Sequence, residues 1–485
     1  MGVPTYDRVL IGGGWVPADG GTYDVIDPAT EEVAGRAPEA SVSQAHAAAR
    51  AAREAFLRGP WPRLSGAERG ALLARAGEAF RAAMPGLLDL TIAETGAVRA
   101  VAESQQVGAV PARLCKYAEL AGRSADAPLP PRELPGGKLQ ATIAAREPIG
   151  VVACITPANF PMTNCAGKIA PALACGNTVV VKPAPADPMG VAELCRIVGE
   201  VFPPGVVNFV NGRDAALGEA LTTTPDVDMI SFTGSTAVGL AIQAAAAPSL
   251  KRTLLELGGK SPQIVFADAD LEAALRGAMQ VWTFHTGQIC IAGTRLLVEQ
   301  SIYEDFTRGL AAAGPGLRIG DPREPGTVIG PLVSAAQRER VEHYVRRGVE
   351  EGATLACGGR RPARPAHGFF FEPTLFTGAR NDMTIAREEI FGPVLVAIPF
   401  RDEAEAIALA NDSDFGLYGY VWTRDAARGL RVARALRTGT VQINSGSGMH
   451  PDAPFGGYKL SGIGRDGGEY ALAAYSELKT MGWTA

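Results

Sequence analysis

From about residue 150 the chain alternates short runs of aliphatic and β-branched residues with longer amphipathic runs, and this alternation constrains the fold more than any other feature. GVVACIT, NTVVVKP, VVNFVN and DMISFTG read as strands, and KIAPALAC, MGVAELCRIVGEVF, DAALGEALTT and GSTAVGLAIQAAA as the helices between and after them. Strands apolar at every position, rather than at alternate ones, are buried on both faces. Helices separating them impose a parallel, doubly wound sheet. The alternation resumes from about 259 to 444, with IVF, TRLLVEQ, VLVAIPF and GYVWT as strands. Ahead of residue 150, residues 8–36 read as short strands and turns, and 42–58, 66–94 and 98–121 carry helical periodicity. The Pro- and Gly-rich stretch SADAPLPPRELPGGK marks a boundary or an excursion, and LQATIAAREPIG after it reads as an extended ribbon.

Composition narrows the function classes. Hydrophobic residues at 47% and charged residues at 20% supply more than one core and exclude a disordered chain. A net charge of -5 lacks the basic footprint of nucleic-acid binding and gives no attraction to an anionic membrane, so neither partner is expected. Seven cysteines with no CxxC pair argue against a disulfide framework and a zinc ribbon, so no metal is expected and reduced thiols in a cytoplasm are. The start MGVPTYDRVLIGGG has no signal-peptide core. The long uncharged run between Glu147 and Lys168 contains Pro157, Asn159, Pro161 and Asn164, which fits a buried strand and a functional loop better than a membrane helix.

Four segments could carry chemistry. Cys290 ends GQIC and precedes Ala292 and Gly293, where a loop enters the next segment. It is either a nucleophile or a packed core thiol. Glu256 lies in LLELGGKSP, and a carboxylate in an apolar strand is expensive unless it is paired or functional. Burial would raise its pKa towards that of a general base, whereas simple strand alternation would place it in water. FTGSTAVG brings a strand through a Gly-Ser-Thr turn into a helix, which suits a phosphate or a plain cap, and it is not the GxGxxG fingerprint. In ITPANFP two prolines flank Asn159, either aiming its amide as an oxyanion donor or forming a turn. Arg is the chain's usual cation, so Lys168, Lys182, Lys260 and Lys459, each inside a Gly- or Pro-marked motif, hint at specific contacts.

Taken in order, ITPANFP, KIAPALACGNTVVVKP, FTGSTAVG, LELGGKSP, GQICIAGTR, EEIFGPV and PFGGYKLSGIGRDGG resemble the aldehyde dehydrogenase superfamily over nearly the whole chain. The resemblance implies an α/β fold: a Rossmann-like NAD(P) domain over 1–125 and 148–258, a catalytic α/β domain over 259–470, and a β-ribbon for oligomerisation over 126–147 and 471–485. It implies catalytic roles for Cys290 as nucleophile, Glu256 as the base that activates water, Asn159 as oxyanion donor and Lys168 as an aid to proton movement. It implies cofactor contacts from Ile155, Thr156, Pro157, Lys182, Gly234, Ser235, Glu389 and Phe391, with NAD as cofactor and NADP open because Pro185 stands where NAD-preferring members often carry Glu. The substrate funnel would include Ala158, Asn164, Phe284, Ile289, Ile291 and Met449. Ala158 and Gly167 replace bulky aromatics common in the family and SGSGMHPDAPFGG is rich in small residues, so a wide funnel for a bulky or aromatic aldehyde is expected. Asp466 stands where many members have Glu. An exposed ribbon invites a homodimer or tetramer. The alternatives are a CoA-acylating semialdehyde enzyme, against which Glu256 argues, and a catalytically silent structural member of the fold.

Overall fold

The computed structural model describes residues 3–123, 126–446 and 450–484. An eight-stranded sheet runs, in spatial order, through Gly14–Pro17, Arg8–Ile11, Val207–Phe209, Thr178–Lys182, Val151–Ile155, Met229–Thr233, Arg252–Glu256 and Gly462–Ile463. Its five central strands are mutually parallel. Val151–Ile155 and Thr178–Lys182 are buried at every position, as uniformly apolar strands require. From Val151–Ile155 the chain winds outward through 178 and 207, then jumps back to 229 and winds the other way. The order therefore reverses between Val151–Ile155 and Met229–Thr233, and ligands of open parallel sheets bind at the carboxyl ends of the strands beside such a reversal.

A second sheet of seven strands follows the order Thr354–Cys357, Thr374–Thr377, Val394–Phe400, Arg295–Glu299, Pro262–Val265, Tyr418–Trp422 and Thr440–Ile443. The segments IVF, TRLLVEQ, VLVAIPF and GYVWT therefore lie on adjacent strands of one sheet. The third sheet has three antiparallel strands, with Ser476–Thr484 and Ala127–Leu134 on either side of Lys138–Pro148. Ser476 pairs with Pro148 and Thr484 with Gln140. Both outer strands are largely exposed, with Leu129, Leu478 and Trp483 in solvent.

Two helices differ from the pattern in ways that matter for the site. The helix expected over KIAPALAC begins earlier, spanning Pro161–Ala174, because Pro161 is preset for a first helical turn. The periodic stretch 98–121 is not one helix: Ala102–Val107 is wound as π-helix ahead of the helix Ala109–Ala121. Widening the turn frees backbone carbonyls, and those of Gln105 and Gln106 accept from the Thr163 hydroxyl at 2.5 and 2.9 Å. The excursion is thereby locked to the first turn of Pro161–Ala174.

Candidate active site

The carboxyl ends of the central strands converge on one crevice. Ile155 is level with Lys182 on one side and Phe232 on the other, and Thr233 is level with Glu256. Thr156 and Pro157 continue from the first strand, and Gly234 and Ser235 from the fourth, so these residues meet at the reversal point. Ser235 caps the helix Thr236–Ala246, its hydroxyl accepting from the Val238 N–H at 3.4 Å. The remaining N–H groups of that first turn and the positive end of the helix dipole suit a phosphate.

Cys290 follows the backbone segment His285–Thr286–Gly287, all three in the left-handed region. For His285 and Thr286 that conformation is strained, and such strain persists only where the surroundings enforce it. Here Gln288 is the enforcer: its side-chain carbonyl accepts from Val333 N–H at 2.8 Å and its amide donates to the carbonyls of His285 and Pro331. The Gln288 carbonyl in turn accepts from the Asn159 amide at 2.9 Å. Asn159 is fixed from three further directions. Its side-chain oxygen accepts from Phe160 N–H at 3.0 Å and from the Asn164 amide at 3.5 Å, and its backbone carbonyl from the Gln106 amide at 3.2 Å. One of its two amide protons is committed to Gln288, and the second has no acceptor among the described residues.

Cys290 is half-buried, and its thiol is pushed up to about 12, first by burial and then by the negative fields of Glu389 and Glu256. Backbone N–H groups of Cys290 and Ile291 pull the other way. Glu256 is 4% exposed, and neither of its carboxylate oxygens has a hydrogen-bond partner among the described residues. Burial raises its pKa well above the carboxylate range, helped by Asp466 and opposed by Lys168 and Arg465. Glu256 is therefore not an outward-facing strand residue. One oxygen lies 2.8 Å from where a Cβ on Gly456 would stand, so PFGG presses its backbone directly onto the carboxylate. Lys168, 1% exposed, faces Asp466 at 3.4 Å. The four residues thus share one electrostatic neighbourhood although they come from four separate stretches of chain.

On the cofactor side, Glu389 accepts from Gly259 N–H at 3.0 Å and its pKa is raised to about 7 by burial. A Cβ on Gly258 would stand 2.5 Å from its other oxygen. Phe391, two residues on, adopts a φ of 61°, in the left-handed region. Lys182 is buried, with only a 3.4 Å bond to the Pro183 carbonyl, and burial lowers its pKa. The Thr156 hydroxyl and the Lys260 ammonium are buried without hydrogen-bond partners among the described residues. Partnerless donors, glycine-lined walls and a free helix start fit an extended nucleotide. Lys459, by contrast, is structural, donating to the carbonyls of Asn411 and Ser413 at 2.7 and 2.8 Å.

In the funnel, Phe284 stacks on Phe160 at 6.2 Å between ring centroids, and Ile289 packs on the same cluster. Ile291 belongs to a cluster with Tyr418 and Tyr420, and the Tyr420 hydroxyl donates to its carbonyl at 3.1 Å. Ala158 and Asn164 are half-buried. Met449 lies outside the described residues. The expectation that Gly167 opens the funnel needs correction: Nη1 of Arg113 lies 2.8 Å from where a Cβ on Gly167 would be, so a guanidinium occupies the space an aromatic would fill. Arg113, Gln106, Thr163 and Gln288 were not legible as site residues. Only the small-residue position 167 signalled that something else approaches there.

A fold of two sheets with parallel centres, bearing a thiol, a buried carboxylate and an aimed amide at the crevice, defines a class, and the chain belongs to the aldehyde dehydrogenase family, whose model matches residues 15–481. It is 41% identical over 481 residues to a betaine aldehyde dehydrogenase of Bacillus subtilis, covering 97% of this chain and 96% of that one. It is 40% identical to a phenylacetaldehyde dehydrogenase of Pseudomonas fluorescens, covering 98% and 95%. A betaine aldehyde dehydrogenase of Staphylococcus aureus, crystallised with NAD+, superposes with a TM-score of 0.95 at 36% identity, covering 98% of this chain and 95% of that one.

Proposed function

We propose that this protein oxidises an aldehyde to its carboxylic acid with NAD+, through a covalent intermediate on Cys290. The observation that carries this reading is Glu256, a buried carboxylate without hydrogen-bond partners among the described residues and within the field of a half-buried thiol. With the thiol near 12 its proton stays on at neutrality, so attack on the aldehyde needs a proton acceptor, and Glu256, whose raised pKa strengthens it as a base in its carboxylate form, is the group placed to be one. Sulfur attack makes a thiohemiacetal whose oxyanion takes the free amide proton of Asn159 and the Cys290 N–H. Bound NAD+ would supply the hydride acceptor, and loss of the hydride from the thiohemiacetal leaves a thioester on Cys290. Glu256 then takes a proton from water, which attacks the thioester and releases the acid and the free thiol. Lys168 and Asp466, next to Glu256, offer a route for that proton towards solvent.

The cofactor would be held by Ile155, Thr156, Pro157 and Lys182 on one strand pair, Gly234 and Ser235 at the helix start, and Glu389 with Phe391 on the far side. Ala158 and the stacked pair Phe160 and Phe284 favour a bulky or aromatic aldehyde, and the phenylacetaldehyde relative points the same way. The open strand edges of the ribbon favour a homodimer or tetramer. Among the described residues no helix is long and apolar enough to cross a membrane. The experiment is NAD+ and NADP+ reduction at 340 nm across small, aliphatic and ring-bearing aldehydes, with Cys290→Ala in parallel. Reduction lost in the variant supports the reading. Reduction that requires added CoA replaces water as the acyl acceptor and removes Glu256 from its role.

A further inference from the structure

The helix Ala109–Ala121 buries Val110, Leu114 and Tyr117 against the helix Pro161–Ala174 and its neighbours. Arg113 stands one turn before Tyr117 on that side and reaches across to Gly167. Gly167 follows Asn164 by three residues, and Asn164 touches the oxyanion amide of Asn159. The guanidinium thus lies against the helix that leads to the reacting centre. It makes no hydrogen bond and has no carboxylate within ion-pair distance among the described residues; Asp466 acts on it only through space. Other sheltered arginines in the chain are matched. Arg53 pairs with Asp228 at 2.7 Å, Arg69 donates to the Ala174 carbonyl at 3.0 Å, and Arg295 donates to Asn381 at 2.8 Å and to the carbonyls of Leu409 and Ala410. Five donors in a partly desolvated wall with no acceptor are costly unless something else supplies one.

We propose that Arg113 is a specificity-determining residue that receives the carboxylate of an aldehyde acid, so that the enzyme turns a semialdehyde or formyl-aryl acid into a dicarboxylate. This rests on the reading that the Cys290 site oxidises aldehydes. A planar guanidinium matches a carboxylate with two parallel hydrogen bonds, which a point cation such as Lys does not. Lys116, on the next turn outward, is already occupied by Asp452 at 2.6 Å, so Arg113 is the cation left for substrate on this helix. The stacked rings of Phe160 and Phe284 are compatible with either an aliphatic or an aromatic spacer.

The test compares adipic semialdehyde with its methyl ester, and terephthalaldehydic acid with its methyl ester, as kcat/KM ratios of acid to ester. In the unaltered enzyme the ratio should exceed about ten, and Arg113→Met should lower it about ten- to hundred-fold, mainly through KM, the range expected for charged hydrogen bonds. Arg113→Lys should retain an intermediate ratio. Rising ionic strength should depress turnover of the acids more than of the esters in the unaltered enzyme, a readout that does not depend on a variant folding. Esters preferred over acids, or a ratio that Arg113→Met does not move, overturns the proposal while leaving aldehyde oxidation standing. No NAD+ reduction with acids and esters alike overturns the underlying reading as well, and so is told apart.

Discussion

Replacing Glu256 with Gln separates what the buried carboxylate does for the reaction from what it does for the fold. The change keeps the shape and removes the charge and the proton-accepting capacity. General-base catalysis typically contributes about 10²–10⁴-fold, or roughly 3–5 kcal/mol of barrier, and kcat of Glu256→Gln should fall by that amount. Stability should move the other way. Neither oxygen has a partner to lose among the described residues, and burial is the first cause of the raised pKa. The folded carboxyl therefore stays protonated at pH values where the unfolded one ionises. The stability of the unaltered protein falls as pH climbs from the ordinary carboxylate range to the folded pKa, then levels off. A neutral Gln escapes that decline, so the difference in melting temperature should shift in favour of the variant between pH 5 and pH 8. Stopped-flow NADH formation adds a third reading: a burst of one equivalent per site means acylation survives and hydrolysis is blocked, and its absence means Glu256 also takes the thiol proton. A loss of activity below ten-fold in a folded variant, or a variant that melts well below the unaltered protein at pH 8, refutes the reasoning, because Glu256 would then be a structural carboxylate.

Asn159→Ala removes a preorganised donor and should lower kcat by about 10²–10³-fold with melting little changed, checked by steady-state kinetics and calorimetry. The Cys290 thiol, raised to about 12, should be alkylated slowly by iodoacetamide at pH 7 in the cofactor-free protein, with the rate still climbing at pH 10; a plateau below pH 8 refutes that assignment. Leu478→Glu adds a charge to the exposed outer strand of the ribbon and should reduce the mass measured by light scattering to that of one chain. A single-chain mass for the unaltered protein disposes of the ribbon as an assembly element.

How far the sequence reaches is visible in particular residues. The central strands were legible because burial on both faces writes itself as unbroken Val, Ile and Ala. Cys290, Glu256 and Asn159 were legible as oddities: a cysteine after a loop, a carboxylate in an apolar strand and an amide between prolines. Their grouping was not. It depends on contacts across the chain, such as Asn159 with the Gln288 carbonyl and Glu256 with the Gly456 backbone, which no local pattern encodes. The π-helical turn at Ala102–Val107 was hidden for a related reason. Its apolar spacing fits an ordinary helix, and the widened winding is held by Thr163, more than fifty residues away. Gly167 shows the hazard of reading size alone, since the vacancy it signals is filled by an arginine from another helix.

The short strand Gly462–Ile463 carries a consequence for how the protein comes into being. It pairs antiparallel with Leu255 and Glu256, and beside it the Ser461 hydroxyl bridges Gly258 and Gly416, donating to one at 2.7 Å and accepting from the other at 2.9 Å. Glu256 emerges from the ribosome some two hundred residues before the strand that flanks it. Its sheet can assemble early, but the edge beside Glu256 stays open to water, with its backbone unpaired, until translation passes residue 463. A nascent or truncated chain can therefore carry every catalytic side chain and still lack a dry, pressed carboxylate. Competence is acquired near the end of synthesis, as a property of the returning segment and not of the residues that perform the reaction.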